Sequence, residues 1–174
     1  MFNRFGLTTM PKLTLSETQA DDGAAMISFQ DMFEKSKGKP IQYQGKTLVM
    51  LHSFPTNGAT HLRLIFESCA SEWRQGVALR VRGRFKVRGQ LIGKSIVLWH
   101  DTAPEVVELE ISPETPNIEV NNVWDVGDGV IHSWHNGAAM IVESLEDGIR
   151  YRCNDGFADD DFDDIVFRIE RQSS

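Results

Sequence analysis

Val77-Ala78-Leu79-Arg80-Val81-Arg82-Gly83-Arg84-Phe85-Lys86-Val87-Arg88 decides the fold. Side chains alternate across a β-strand, so Leu79, Val81, Phe85 and Val87 share one face and Arg80, Arg82, Arg84, Lys86 and Arg88 share the other. Such a strand buries one side and leaves the other in water, as strands of antiparallel sheets do.

The same grammar extends outward from this stretch. Lys46 to Phe54 reads as a strand that ends at Pro55-Thr56-Asn57-Gly58, a turn signature with glycine available for positive φ. Thr60 to Ser68, Ser95 to Trp99 and Val107 to Ile111 follow, and Ile118 to Val120 and Val123-Trp124 also read as extended. Ala138 to Ser144 and Gly148 to Cys153 are joined through Glu146-Asp147-Gly148, a hairpin signal, and Asp164 to Arg171 supplies the last strand. Met26, Phe29, Met32 and Phe33 recur near helical spacing, which predicts one short helix over residues 24–37, stopped by Gly38 and Pro40. The expectation is an all-β fold, a two-sheet β-sandwich or jelly roll of about 8–10 strands, with at most that one helix. Residues 1–22 read as a flexible N-terminal arm and 23–174 as a single β-sandwich domain.

Composition agrees with a globular chain. Of 174 residues, 41% are hydrophobic and 25% charged, which is enough to bury a core without staples. No apolar run approaches the ~20 residues of a membrane-spanning helix. The segment Met1 to Leu7 has no apolar core behind it, so no signal peptide is read, and the chain is expected in the cytoplasm or exported by a non-classical route. Cys69 and Cys153 form no short-spaced metal-ligand pair and suit either a single disulfide bridge or, the favoured reading, buried free thiols. The net charge of −7 conceals an asymmetry: residues 1–100 hold 14 Lys/Arg against 7 Asp/Glu, and residues 101–174 hold 4 against 18. Either the two halves pair within the fold, or the surface is bipolar, with a basic face for an anionic partner.

The densest chemistry lies in Asn154-Asp155-Gly156-Phe157-Ala158-Asp159-Asp160-Asp161-Phe162-Asp163-Asp164. Crowded carboxylates need neutralising, and calcium takes six to eight oxygen ligands from such side chains. Asp155, Asp159, Asp161, Asp163 and Asp164 are the candidate metal ligands, with Asn154 in support and calcium as the expected cofactor. Asp159-x-Asp161-x-Asp163 with Glu170 at the twelfth position meets part of the EF-hand spacing, but Asp164 stands where that loop needs glycine, and Ile165 to Ile169 reads as a strand. The phrase Asp160-Asp161-Phe162-Asp163-Asp164-Ile165-Val166-Phe167 resembles a recurrent Asp-rich ending of bacterial β-sandwich domains. The resemblance spans about fifteen residues and implies calcium binding at the entry to the last strand.

Two further groups are candidates for ligand binding. Arg80, Arg82 and Arg84 form a cationic row suited to an anionic surface. The overall pI near 5.2 and the lack of interleaved aromatics argue against nucleic acid. Trp99, Trp124, Trp134 and His135 stand at strand ends and loops beside carboxylates and asparagine, the chemistry of carbohydrate sites. Catalysis finds thin support: Ser133 adjoins His132 without a nucleophile elbow, and only Asp101, Asp125 and Asp128 are available as paired glycosidase carboxylates. The expected function is therefore a non-enzymatic recognition module, calcium-stabilised, for a carbohydrate or anionic surface. The alternatives are a membrane- or host-acting effector that uses the basic strand and, third, a glycoside-active enzyme.

Overall fold

The computed structural model describes residues 28–172. The arm over residues 1–22 and the start of the expected helix at residues 24–27 lie outside the described residues. What is described is an all-β fold with a single short helix. In chain order the elements are α1 (Phe29–Ser36), β1 (Ile41–Tyr43), β2 (Lys46–Val49), β3 (His52–Pro55), β4 (His61–Ser68), β5 (Arg74–Val87) and β6 (Gln90–Trp99), followed by β7 (Val106–Ile111), β8 (Asn117–Asp125), β9 (Ala139–Ser144), β10 (Gly148–Asn154) and β11 (Ile165–Arg171). No helix among these residues is long and apolar enough to cross a membrane.

Helix α1 begins at Phe29 because the Ser28 side chain caps it, accepting from the Asp31 N–H at 3.3 Å, with Asp31 in the first turn complementing the dipole. Lys37 adopts left-handed backbone at the far end and Gly38 follows with φ +74, so the helix stops where expected. The strands number eleven where 8–10 were expected: Ile118 to Val120 and Val123-Trp124 join in the single strand β8, β6 starts at Gln90 and not at Ser95, and two further differences lie before β4. Lys46 to Phe54 divides into β2 and β3, and β1 is a three-residue strand too short to show a period. A two-residue turn with Gln44 at φ +46 and Gly45 at φ +75 pairs β1 back onto β2.

The strands form one continuous antiparallel path, β1-β2-β9-β10-β11-β4-β7-β5-β8-β3, with β6 added on β5. Strand β5 turns the corner. Arg74 to Arg80 pair with β8, whereas Phe85 to Val87 pair with β7, and the register shifts between Arg80 and Phe85. Gly83 lies in that shift, where a Cβ would stand 2.5 Å from Ser112 Oγ. The sheet thereby curls into two leaves that face each other. His52 Nδ1 on β3 lies 2.9 Å from Tyr151 Oη on β10, and Arg171 on β11 stacks its guanidinium over Phe54 on β3 at 4.7 Å.

Between the leaves lies the main core, with Phe54, Leu62, Leu64, Val77, Leu79, Phe85, Tyr151, Phe167 and Ile169 each at most 1% exposed. Removal of this apolar set from water is the main force holding the leaves together. A second cluster forms where α1 meets the sheet: Phe29 and Phe33 pack with Ile41, Leu48, Ala139 and Phe162. The alternation on β5 is as the sequence predicts, with Leu79, Val81 and Phe85 buried and Arg80, Arg82, Arg84 and Lys86 exposed. Part of the charge asymmetry is resolved within the sheet, through Arg80–Glu119 at 3.3 Å, Lys86–Glu110 at 2.9 Å and Arg63–Glu108 at 3.6 Å.

Candidate functional site

Strand β10 delivers Asn154 and Asp155 into a ten-residue connection that ends where β11 begins. Asn154 is fully buried and fastens the start of this loop: its amide group donates to Gly137 O and Phe157 O, both at 2.9 Å, while its own carbonyl accepts from Asn122 Nδ2 at 3.0 Å. At the other end the Ala70 N–H donates to the carbonyls of Asp163 and Asp164. Between these fixtures Asp160 and Phe162 take left-handed backbone, φ +53 and +58. Their side chains leave the acidic row: Phe162 buries beside Phe29 under α1, and Asp160 accepts from Tyr43 Oη at 2.6 Å. Three of the acids around them gather instead. Carboxylate oxygens of Asp159, Asp161 and Asp164 all lie within 4.8 Å of one another.

These groups line a cleft of about 480 Å³ whose opposite wall is the segment before β5, Ala70 to Trp73. Asp155 forms its base. It is fully buried, its Oδ2 accepts from Ser71 Oγ and Gln75 Nε2, both at 2.7 Å, and its Oδ1 accepts from the Phe157 N–H at 2.8 Å. Asp164 is 5% exposed, and its Oδ2 accepts from the Asp155 N–H. Trp73 and Phe157 meet edge to face at 6.3 Å, giving the cleft an aromatic side.

The electrostatics of the cleft are unbalanced. Burial pushes the Asp164 carboxyl up to about 7, and the neighbouring charges of Asp155, Asp159 and Asp161 push the same way. Burial likewise raises Asp155, Asp159 and Asp163, with Asp161 adding repulsion in each case. Elsewhere in the interior two buried amide oxygens, Gln75 Oε1 and Asn154 Oδ1, have no hydrogen-bond partner among the described residues, and neither residue lines the cleft. The donor set of the cleft is hard oxygen throughout, the chemistry that suits calcium.

Of the five acids expected to act together, Asp159, Asp161 and Asp164 converge. Asp155 is committed to the protein's own donors, and Asp163 lines the cleft outside the convergent trio. The aromatic candidates scatter. Trp124 is 1% exposed, a core residue packed against Gly156 and beside His132 and His135, so its ring offers no surface to a sugar. Trp99 lies half-buried beneath the Arg74 guanidinium. Trp134 is 38% exposed and lines a separate hollow near Arg80. His135 Nε2 stands 3.3 Å from His132 Nδ1, and His132 Nε2 faces Asp128 at 3.2 Å. The candidate glycosidase acids are engaged elsewhere: Asp101 pairs with Arg74, and Asp125 accepts from the Gly127 and Gly129 amides. Sequence reasoning missed Ser71, Trp73 and Gln75, which lie some eighty residues from the acids and carry no local motif.

Fold and cleft together define the class: an all-β protein with one short helix and a carboxylate-lined cleft between the last two strands and the loop before β5. Comparison of the chain with protein-family models, with curated proteins and with solved structures finds no match.

Proposed function

We propose that the protein is a calcium-stabilised β-sandwich recognition module that binds carbohydrate at the acidic cleft. The observation that carries this reading is the convergence of the Asp159, Asp161 and Asp164 carboxylates. Those three would hold the cation, and Asp155, through Ser71 and Gln75, would keep the base of the cleft in place. Calcium bound there would supply neutralising charge and coordination positions that sugar hydroxyls can fill. Trp73 offers a face on which a pyranose ring stacks, the combination of apolar surface and few polar groups by which small-ligand sites recognise their ligands.

A thermal melt in EDTA and again with excess calcium tests the reading. Calcium at a hundredfold excess over its dissociation constant adds ~2.7 kcal/mol to native stability. For a domain of this size that is a rise of roughly 5–10 °C. An unchanged midpoint would reduce the cleft to an acidic turn.

A further inference from the structure

We infer that the β5–β6 hairpin docks on a phospholipid bilayer bearing anionic headgroups. Between Arg80 and Lys94 the chain holds six Lys/Arg and no Asp/Glu. Arg80 and Lys86 find partners in Glu119 and Glu110. Arg82, Arg84, Arg88 and Lys94 are exposed and make no salt bridge with any described residue. Their mutual repulsion is relieved only by counter-charge from outside the fold.

The hairpin also carries apolar side chains where a bilayer would use them. Arg88 and Gly89 form its two-residue turn, with φ +50 and +75, and set Lys86 opposite Leu91. Cross-strand neighbours share a face, so Leu91, 56% exposed, projects among Arg84, Lys86 and Arg88. Ile92, 43% exposed, opens onto a groove of about 680 Å³ lined by Val97, Trp99 and Pro104, with Arg88 at its rim. Phosphate charge over hydrocarbon is the one surface that matches cations interleaved with leucine and isoleucine. Nucleic acid offers phosphate without hydrocarbon, and its single-strand readers stack bases on exposed aromatics beside their cations, whereas of this hairpin's two aromatics Phe85 is fully buried and Trp99 lies half-buried under Arg74, at the end of β6 far from the turn. A second copy pairing along the open edge of β6 would bring like charges together.

Gln75, near the first residue of β5, holds Asp155 at the base of the acidic cleft, whereas the cationic turn lies at the opposite end of the same strand. Docking by the turn keeps the carboxylates away from headgroups of their own sign.

The experiment is sedimentation of the full chain with vesicles of phosphatidylcholine, or of phosphatidylcholine with one third phosphatidylserine, in EDTA and over a salt series. Binding to the serine-containing vesicles alone, weakening as salt rises, is the expected result. Arg82→Glu with Arg84→Glu lowers the partition by about tenfold or more, and Leu91→Asn lowers it without altering the salt dependence. All three side chains are exposed, so unchanged melting midpoints verify that the variants fold. Equal binding to both vesicles, binding unaffected by the charge reversals, binding that appears only with calcium, or capture of duplex DNA in place of vesicles would each overturn the inference.

Discussion

The Asp164 Oδ2 atom accepts a hydrogen bond from the backbone N–H of Asp155 at 2.7 Å, so one acid of the cleft fixes the main chain that carries another. That bond crosses from the start of β11 to the end of β10 and sets the width of the loop between them. It also explains why a carboxyl 5% exposed persists in a crowd of its own kind. Its oxygen is structural in the neutral form as well as the charged one.

Neutralising Asp161 should act with opposite signs in two buffers. Asp161 repels Asp155, Asp159, Asp163 and Asp164. Asp161→Asn therefore raises the melting midpoint in EDTA and removes the rise on adding calcium. A variant that keeps the full calcium increment would place the cation elsewhere.

Stability in EDTA should fall as pH rises from 5 to 7.5. The folded carboxyl of Asp164 sits at about 7, above the ~3.9 of an unfolded aspartate, so between those values the folded state binds the extra proton. Stability then declines with pH across that window and levels off above the folded value. His52, held below its usual value by burial, opposes this slope. Asp164→Asn retains an acceptor for the Asp155 N–H and should flatten the decline, leaving the contributions of Asp155, Asp159 and Asp163, which burial raises in the same direction, against that of His52. A profile unchanged by that substitution counts against the assignment.

Loss of Asp155 should be costly with or without calcium. Its carboxylate accepts from Ser71, Gln75 and the Phe157 amide, and Asp155→Ala leaves those donors unpaired in a buried site. The expected cost is about 2–4 kcal/mol, a fall of roughly 5–15 °C in the melting midpoint. A fall of only a degree would mean that water replaces the carboxylate freely.

Phe162 ties the acidic loop to α1. Phe162→Ala removes a fully buried ring from the cluster of Phe29, Phe33 and Leu48 and should cost about 3–5 kcal/mol. It should also weaken calcium binding measured by calorimetry, because the acids on either side lose their anchor. Unaltered calcium affinity would show that the loop holds its shape without the helix.

Trp73 separates sugar recognition from cation binding. Trp73→Ala should leave the calcium-dependent rise in melting midpoint intact while abolishing retention on carbohydrate arrays. Persistent retention would move the sugar site to the hollow around Trp134.

The outline of this fold is legible in the sequence because most of its strands are half-buried, and half-burial writes a period of two. The β5 stretch is the clearest case, since the buried Leu79, Val81 and Phe85 alternate with exposed cations. Tyr43 and the three-residue β1 leave no such trace, and the break between β2 and β3 comes from pairing partners far along the chain. The acidic loop announces itself by composition, yet which acids converge depends on left-handed backbone at Asp160 and Phe162, a property dictated by where Phe162 and Tyr43 find their partners. The aromatic wall at Trp73 is hidden for the same reason: it joins the cleft through long-range contacts, the Ser71 and Gln75 bonds to Asp155 and its own edge-to-face packing on Phe157. Trp124 misleads in the opposite sense, because its place at a strand end beside Asp125 looks like a surface, whereas Gly156 leaves room for its ring inside.

Strand β5 has one further consequence. Fourteen residues of extended chain separate its first and last positions by up to about 40 Å, with negative charge gathered at one end and positive at the other. Such a molecule has a large permanent dipole moment. In the field of an anionic surface such a molecule would experience a torque before contact and turn with Arg88 leading and the mouth at Asp161 trailing.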